Sequence, residues 1–162
     1  MKIGIYPGTF DPITHGHTDI ITRSLRVFDK VMVAVAPNPT KRPLFNLDER
    51  LEMVQLVLKD LGQVEVVTFS GLLVDYVQEA GANAIIRGLR AISDFEHEFQ
   101  MALINRKLAE QVETVFLMPS EEFSYLSSTI IKDVASHGGS LTGFLHPEIA
   151  RRLQARMRSF KA

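Results

Sequence analysis

Residues 8–17 read GTFDPITHGH and follow directly on the short apolar run KIGIY. Gly8 permits a tight exit from that run and lets a ligand approach the backbone. Thr9 offers a hydroxyl and an N–H to the same opening. Gly16 and His17 fall where a helix should begin, because Ile20, Ile21 and Leu25 follow at helical spacing. Free N–H groups at a helix start favour phosphate, and an imidazole placed there can donate to a phosphate oxygen. Alone, the stretch is equally a β-turn, a helix cap and surface histidines. His15 and His17 would supply two zinc ligands, but no third is evident. No G-x-G-x-x-G follows the apolar run, so a dinucleotide-dependent redox role loses support.

Three other groups carry similar chemistry. In IIRGLRAISDFEHEF, Arg87 and Arg90 flank Gly88 directly after an apolar run, and Asp94 lies four residues beyond Arg90. An aspartate at that spacing can hold a guanidinium in place, and two fixed guanidiniums suit a phosphate chain. The plainer reading is a solvated basic loop with an ion pair on a helix face. In FSYLSSTIIKDVAS, Ser127, Ser128 and Thr129 precede Ile130, Ile131 and Val134, so one hydroxyl is a good N-cap. The same helix start is also an anion seat, with Lys132 one turn further in. Lys41, in NPTKRP, could swing over a phosphate from the same side.

These groups need a scaffold, and the alternation of β-branched runs with 3.6-residue periodicity predicts one. Strands are expected at Lys2–Tyr6, Val31–Ala36, Val64–Phe69, Ala84–Ile86 and Thr114–Met118. Helices are expected at Leu47–Leu58, with Asp48 and Glu49 in the first turn, and at about Ala91–Ala109, with Ile92, Phe95, Phe99 and Leu103 as the apolar stripe. A tail helix, Glu148 to Phe160, sets Ile149, Leu153, Met157 and Phe160 on one side. Arg151, Arg152, Arg156 and Arg158 occupy the rest. Strand–helix–strand units build a parallel sheet, and ligands sit at the carboxyl ends of its strands. All four chemical groups then fall on one sheet edge. Leu72 and Leu73, after the third strand, would form an apolar wall beside them.

Composition narrows the functional classes. The chain has 162 residues, enough for one domain with a full core, and a net charge of −1 with 46% hydrophobic residues. That balance argues against a general nucleic-acid binder, so any anion site is local. The absence of cysteine excludes disulfides, Cys-ligated zinc and thiol catalysis. No apolar run approaches the roughly 18 residues of a membrane span. No signal-like segment precedes the first strand, and a cytoplasmic protein acting on a cofactor-sized molecule is expected.

Together the motifs resemble the nucleotidyltransferase superfamily, whose (T/H)xGH and ISSTxxR patterns correspond to Thr14–His17 (THGH) and Leu126–Lys132 (LSSTIIK). The middle segment RGLRAISDFEHEF, with PTKRPLF and the FLMPS strand end, is similar to the bacterial branch that uses 4'-phosphopantetheine as acceptor. The resemblance covers about Lys2 to Lys132. It implies a Rossmann-like α/β fold in a single domain, 1–162: an open parallel five-stranded sheet with helices on both faces. It also implies adenylyl transfer from ATP to 4'-phosphopantetheine, giving dephospho-coenzyme A and pyrophosphate, with magnesium and a homohexameric assembly. The catalytic residues so implied are His17, Lys41 and Arg90. Thr9, Phe10, His17, Gly88, Leu89, Arg90 and Glu98 would hold ATP, with Phe123, Ser124, Tyr125, Leu126, Ser127, Ser128 and Thr129. Thr9, Lys41, Leu73 and Arg87 would line the acceptor side. Lys132 stands where the superfamily pattern has arginine, so a point charge replaces a bidentate grip. His15 fills the variable motif position and receives no role. Within the superfamily the rival acceptors are nicotinate mononucleotide and glycerol phosphate, against which the RGLRAISDFEHEF segment argues. From a different class, a non-catalytic sensor of ATP or coenzyme A could dispense with His17.

Overall fold

A computed structural model describes all residues except Pro39, Lys41, Ala91 and 160–162, and only the backbone of Ile92 and Ser93. Lys41 and Phe160 therefore lie outside the described residues. The elements run β1 (Ile3–Gly8), α1 (His15–Ser24), β2 (Lys30–Val35), α2 (Leu47–Leu58), β3 (Val64–Thr68), α3 (Leu73–Glu79), β4 (Ala84–Gly88), α4 (Ile92–Leu108), β5 (Glu113–Leu117), α5 (Ser128–Ser136) and α6 (Pro147–Ser159). The sheet is wholly parallel, in the order β3-β2-β1-β4-β5. The chain winds outward from β1 to β3 and then returns to β1's other side, so strand order reverses between β1 and β4. This is the parallel α/β sheet the strand–helix alternation predicts, in the Rossmann-like arrangement the family resemblance implies.

Both sheet faces are covered. Ile20, Ile21, Met53, Val54, Ile131, Ile149 and Leu153 bring α1, α2, α5 and α6 onto one face, against Val31, Val33, Val35 and Ile86. On the other face Val74 and Val77 of α3, with Ala109 and Val112, cover Ile5, Met32, Ala34 and Ile85. Burial on both faces explains why β1, β2 and β4 read as nearly continuous apolar runs.

Local chemistry sets the helix starts. Asn46 caps α2 and exchanges hydrogen bonds with Glu49, a reciprocal box that begins the helix at Leu47 as expected. Ser127 caps α5 by accepting from the Ile130 N–H at 3.1 Å. α1 starts at His15, slightly before the expected position, because Thr14 caps it and accepts from the His17 N–H.

The structure corrects the reading of α4. Phe95, Phe99 and Leu103 do not face the core but are 46%, 46% and 48% exposed, and Phe95 stacks on Phe99 at 5.6 Å. Ile104 and Leu108 are exposed as well. α4 follows β4 and packs on the edge strand β5, while α3 with Ala109 and Val112 fills the central face. Periodicity reports an apolar stripe but not what covers it.

The tail helix α6 is part of the domain. Ile149 and Leu153 are fully buried, whereas three of its arginines make ion pairs: Arg151 and Arg152 with Glu148, Arg152 with Glu52 at 2.8 Å, and Arg156 with Glu49. Arg156 also donates to the Leu44 carbonyl and lies 4.7 Å above the Phe45 ring. Partly exposed ion pairs stabilise little, so the apolar side of α6 carries most of its docking energy. Leu153→Ala should therefore destabilise the domain by about 2–5 kcal/mol in urea unfolding. An unchanged midpoint would contradict this packing.

Candidate active site

β1 and β4 pair only at Gly4↔Ala84 and Ile5↔Ile85. Beyond that point the strands splay, and Pro7 has no N–H to offer a partner. The gap opens into a cavity of about 570 Å³ at the carboxyl edge of the sheet, where a switch-point site is expected. Gly8 shapes its floor, since a Cβ there would lie 2.8 Å from the Phe10 ring. Phe10 itself adopts a left-handed φ of 48°, a conformation that costs energy outside glycine.

His17 enters at the first turn of α1. Its Nδ1 accepts from the Thr14 N–H at 3.0 Å, so the ring proton resides on Nε2. Burial, with the nearby Arg90 charge, lowers the His17 pKa from 6.5 to about 4. The half-buried ring is thus a neutral donor at physiological pH. Phe10 meets it edge-on at 5.0 Å and fixes its plane.

Each guanidinium is held by a carboxylate of its own. Glu98 grips Arg87 bidentately, at 2.6 Å from Nε and 2.5 Å from Nη2. Burial acts against the Arg87 charge, but the Glu98 hydrogen bonds and charge outweigh it and raise its pKa. Arg90 donates to Asp94 at 3.1 Å and to the Leu126 carbonyl at 3.1 Å. The Asp94 contact is the one its spacing suggests. The Leu126 contact ties the β4 loop to the cap of α5.

Asp11 joins three segments. Its carboxylate, 4% exposed as a residue, accepts from the Leu44 N–H and Phe45 N–H at 2.9 Å each and from Lys132 Nζ at 2.7 Å. Lys132 therefore lines the cavity while tethered to Asp11. Arg50, 1% exposed, donates to the carbonyls of Thr9, Ala36, Pro37 and Phe45 at 2.7–3.1 Å. A further cluster bolts the loop after β5 to α1. The Asp19 carboxylate accepts from the Ser120 N–H at 2.7 Å and from Arg23 Nε at 3.0 Å.

Most residues singled out in the sequence converge. Thr9, Phe10, His17, Arg87, Gly88, Arg90, Glu98, Phe123, Leu126, Ser127, Ser128 and Thr129 all line the cavity. Four do not. Leu89 is drawn into the sheet by its N–H bond to Leu117. Ser124 caps Glu121 locally, Tyr125 points outward toward Phe144, and Leu73 packs at the head of α3. Arg87 and Gly88 close β4 itself rather than follow it. Tyr6, Asp11 and Arg50 were not assigned roles by the motifs. A tyrosine ending an apolar strand and an aspartate before proline were the available signals; nothing marked Arg50, since a lone arginine on an amphipathic helix reads as solvated. His15 fastens α1 to the loop before α6, through Nδ1 on the Gly143 carbonyl at 2.9 Å.

A cavity lined by helix-start donors, a neutral imidazole and fixed cations is the equipment of nucleotidyl transfer. The sequence matches the cytidylyltransferase-like family over residues 5–134. It is 56% identical over 156 residues to a phosphopantetheine adenylyltransferase of Alkalilimnicola ehrlichii, covering 95% of this chain and 90% of that protein. It is 53% identical to the Thiobacillus denitrificans enzyme of the same name, covering 98% and 99%. The fold matches a candidate nicotinate-nucleotide adenylyltransferase from Vibrio parahaemolyticus with a TM-score of 0.72 at 21% identity, covering 94% of this chain and 99% of that one. At that identity the likeness concerns the fold alone. The chain belongs to the phosphopantetheine adenylyltransferases, within the nucleotidyltransferase superfamily.

The His17 assignment is open to measurement. In an NMR titration of the free protein its imidazole should titrate near pH 4, with Nε2 protonated above that point. A midpoint near 6.5 would mean that the ring is solvated and cationic in mild acid.

Proposed function

We propose that this enzyme transfers the adenylyl group of ATP to 4'-phosphopantetheine, releasing pyrophosphate and forming dephospho-coenzyme A, a step of coenzyme A biosynthesis. More than half of the residues are shared with enzymes named for that activity over nearly the whole chain, and this observation carries the reading.

The acceptor is a phosphate already ionised near neutral pH, since its second pKa is about 6. One of its oxygens attacks the α-phosphorus of ATP. The bond from that phosphorus to the bridging oxygen breaks, and the electron pair leaves with pyrophosphate. Such a displacement needs alignment and charge stabilisation rather than a general base. The cavity is built accordingly: among the described residues its carboxylates, Asp11, Asp94 and Glu98, each face a cation. His17 Nε2–H donates to the transferring group, and Arg90 and Lys132 neutralise the triphosphate. Thr9 and Arg87 receive the acceptor phosphate, joined by Lys41. Phe10, Gly88, Phe123, Leu126 and the Ser127–Thr129 cap hold the nucleotide. This division of roles follows the family motifs and is supported by the shared cavity.

Magnesium enters in this proposal with the nucleotide. Among the described residues no cluster of three histidines or carboxylates could hold a metal. Magnesium commonly binds on substrate phosphates rather than in an all-protein cage, and the proposal places it there. Self-association into a hexamer is part of the proposal, supported by the exposed apolar side of α4. A cytoplasmic location fits two water-soluble substrates. No described helix is long and apolar enough to cross a membrane.

Incubation with ATP, magnesium and 4'-phosphopantetheine should release pyrophosphate. Nicotinate mononucleotide, or glycerol phosphate with CTP, should yield none. Faster release with either alternative acceptor would overturn the assignment. His17→Ala should fold, bind ATP within a few-fold of the parent and lose about 10²–10³ in turnover, the usual cost of removing a transition-state donor. Near-normal turnover would remove His17 from the mechanism. Arg87→Ala should mainly weaken the acceptor, and Arg90→Ala mainly ATP. Equal losses for both substrates in both variants would contradict the assigned division.

A further inference from the structure

Tyr6 sits on β1 at the strand gap, is 7% exposed and lines the cavity. Phe10 packs edge-on against its ring at 5.7 Å, and the His17 ring lies 6.5 Å away. The hydroxyl lies close to the end of β4, 3.9 Å from where a Cβ on Gly88 would stand. Among the described residues no group forms a hydrogen bond to it. Tyr6 borders the open cavity, whereas Thr114 Oγ1, on β5, is a fully enclosed side-chain oxygen without a partner among the described residues. A ring packed beside the Phe10–His17 pair needs no hydroxyl for that contact, and phenylalanine would fill the place without the cost of desolvating one. The hydroxyl is therefore suited to something that enters the cavity.

Its surroundings identify that occupant. Burial pushes the Tyr6 pKa up to about 12, although the Arg87 and Arg90 charges pull it down. The phenol thus keeps its proton and can donate. The Arg87 and Arg90 guanidiniums, held by Glu98 and Asp94, line the same cavity at the β4 end, and the neutral His17 ring, with its proton on Nε2, lies beside the phenol. Donors and positive charge converging from three elements fit an oxyanion of a phosphate group. A ribose hydroxyl would gain nothing from two nearby cations.

We propose that the Tyr6 hydroxyl is a catalytic residue of the adenylyl transfer, donating a hydrogen bond to the α-phosphate oxygens beside His17. This rests on the adenylyl-transfer reading above. No proton is transferred: the phenol retains its hydrogen while negative charge builds on the transferring group, and the hydrogen bond strengthens as it does so.

The test is Tyr6→Phe, which keeps the ring and removes only the oxygen. Wild type is assayed first with ATP, magnesium and 4'-phosphopantetheine. Its failure to turn over would overturn the reading of the reaction, and this proposal with it. With wild type active, the variant should keep the parent's Tm within about 2 °C and its calorimetric ATP affinity within about threefold. Its kcat should fall about 10- to 100-fold, as expected for a lost hydrogen bond to a charged group. A kcat within twofold of wild type would overturn the proposal. So would a raised KM for ATP with kcat retained, which would make the hydroxyl a ground-state contact. A loss of kcat matched by a lowered Tm would show that the hydroxyl supports the fold and not the reaction.

Discussion

The buried guanidinium of Arg50 is the constraint on which the site depends. A charge in the interior is costly unless its donors are satisfied, and four carbonyl oxygens from separate segments satisfy this one. Those carbonyls belong to the loop after β1 and to the loop between β2 and α2. Burial pulls the Arg50 pKa down, and the charge of the Asp11 carboxylate opposes it. Asp11 in turn holds Leu44, Phe45 and Lys132. One arginine and one aspartate thereby fix two loops and the α5 cation relative to the strand gap.

That frame explains how a chain of nearly zero net charge handles two highly anionic substrates. The positive groups are few, and each is aimed by a partner: Arg87 by Glu98, Arg90 by Asp94 and Leu126, Lys132 by Asp11. Aiming costs nothing at the moment of reaction because the folding free energy has already ordered these side chains. His17 is treated in the same way. Its orientation and tautomer come from the Thr14 cap, so one capping interaction starts the helix and points the donor.

Much of this was legible in the sequence, for identifiable physical reasons. Strands buried on both faces announce themselves as apolar runs, and the Asn46–Glu49 box starts α2 at Leu47, where periodicity put it. The motifs converge because the parallel topology carries every βα loop to one edge. The remainder depends on long-range pairing. Glu98 reads as a nucleotide contact, yet both its oxygens are engaged by Arg87 across the β4–α4 turn. Arg50 looks like a solvated residue until the carbonyls of two loops surround it. The α4 stripe reads as core because periodicity cannot distinguish a sheet face from an uncovered one. Similarly, Arg151, Arg152 and Arg156 of α6 look like a basic face until they are seen paired with Glu148, Glu52 and Glu49.

The central claim is that the site orients charges and performs no proton abstraction, so its nucleophile must arrive ionised. Among the described residues the cavity carboxylates face cations and His17 Nδ1 is occupied, leaving His97 at the exposed rim. The most direct measurement compares 4'-phosphopantetheine with unphosphorylated pantetheine at saturating ATP and magnesium, following pyrophosphate release. The account requires release with the phosphorylated compound alone, pantetheine acting as a weak competitor that yields no adenylated product. Comparable rates with both would demand a general base, with His97 the first residue to examine, and would contradict the mechanism derived from this cavity.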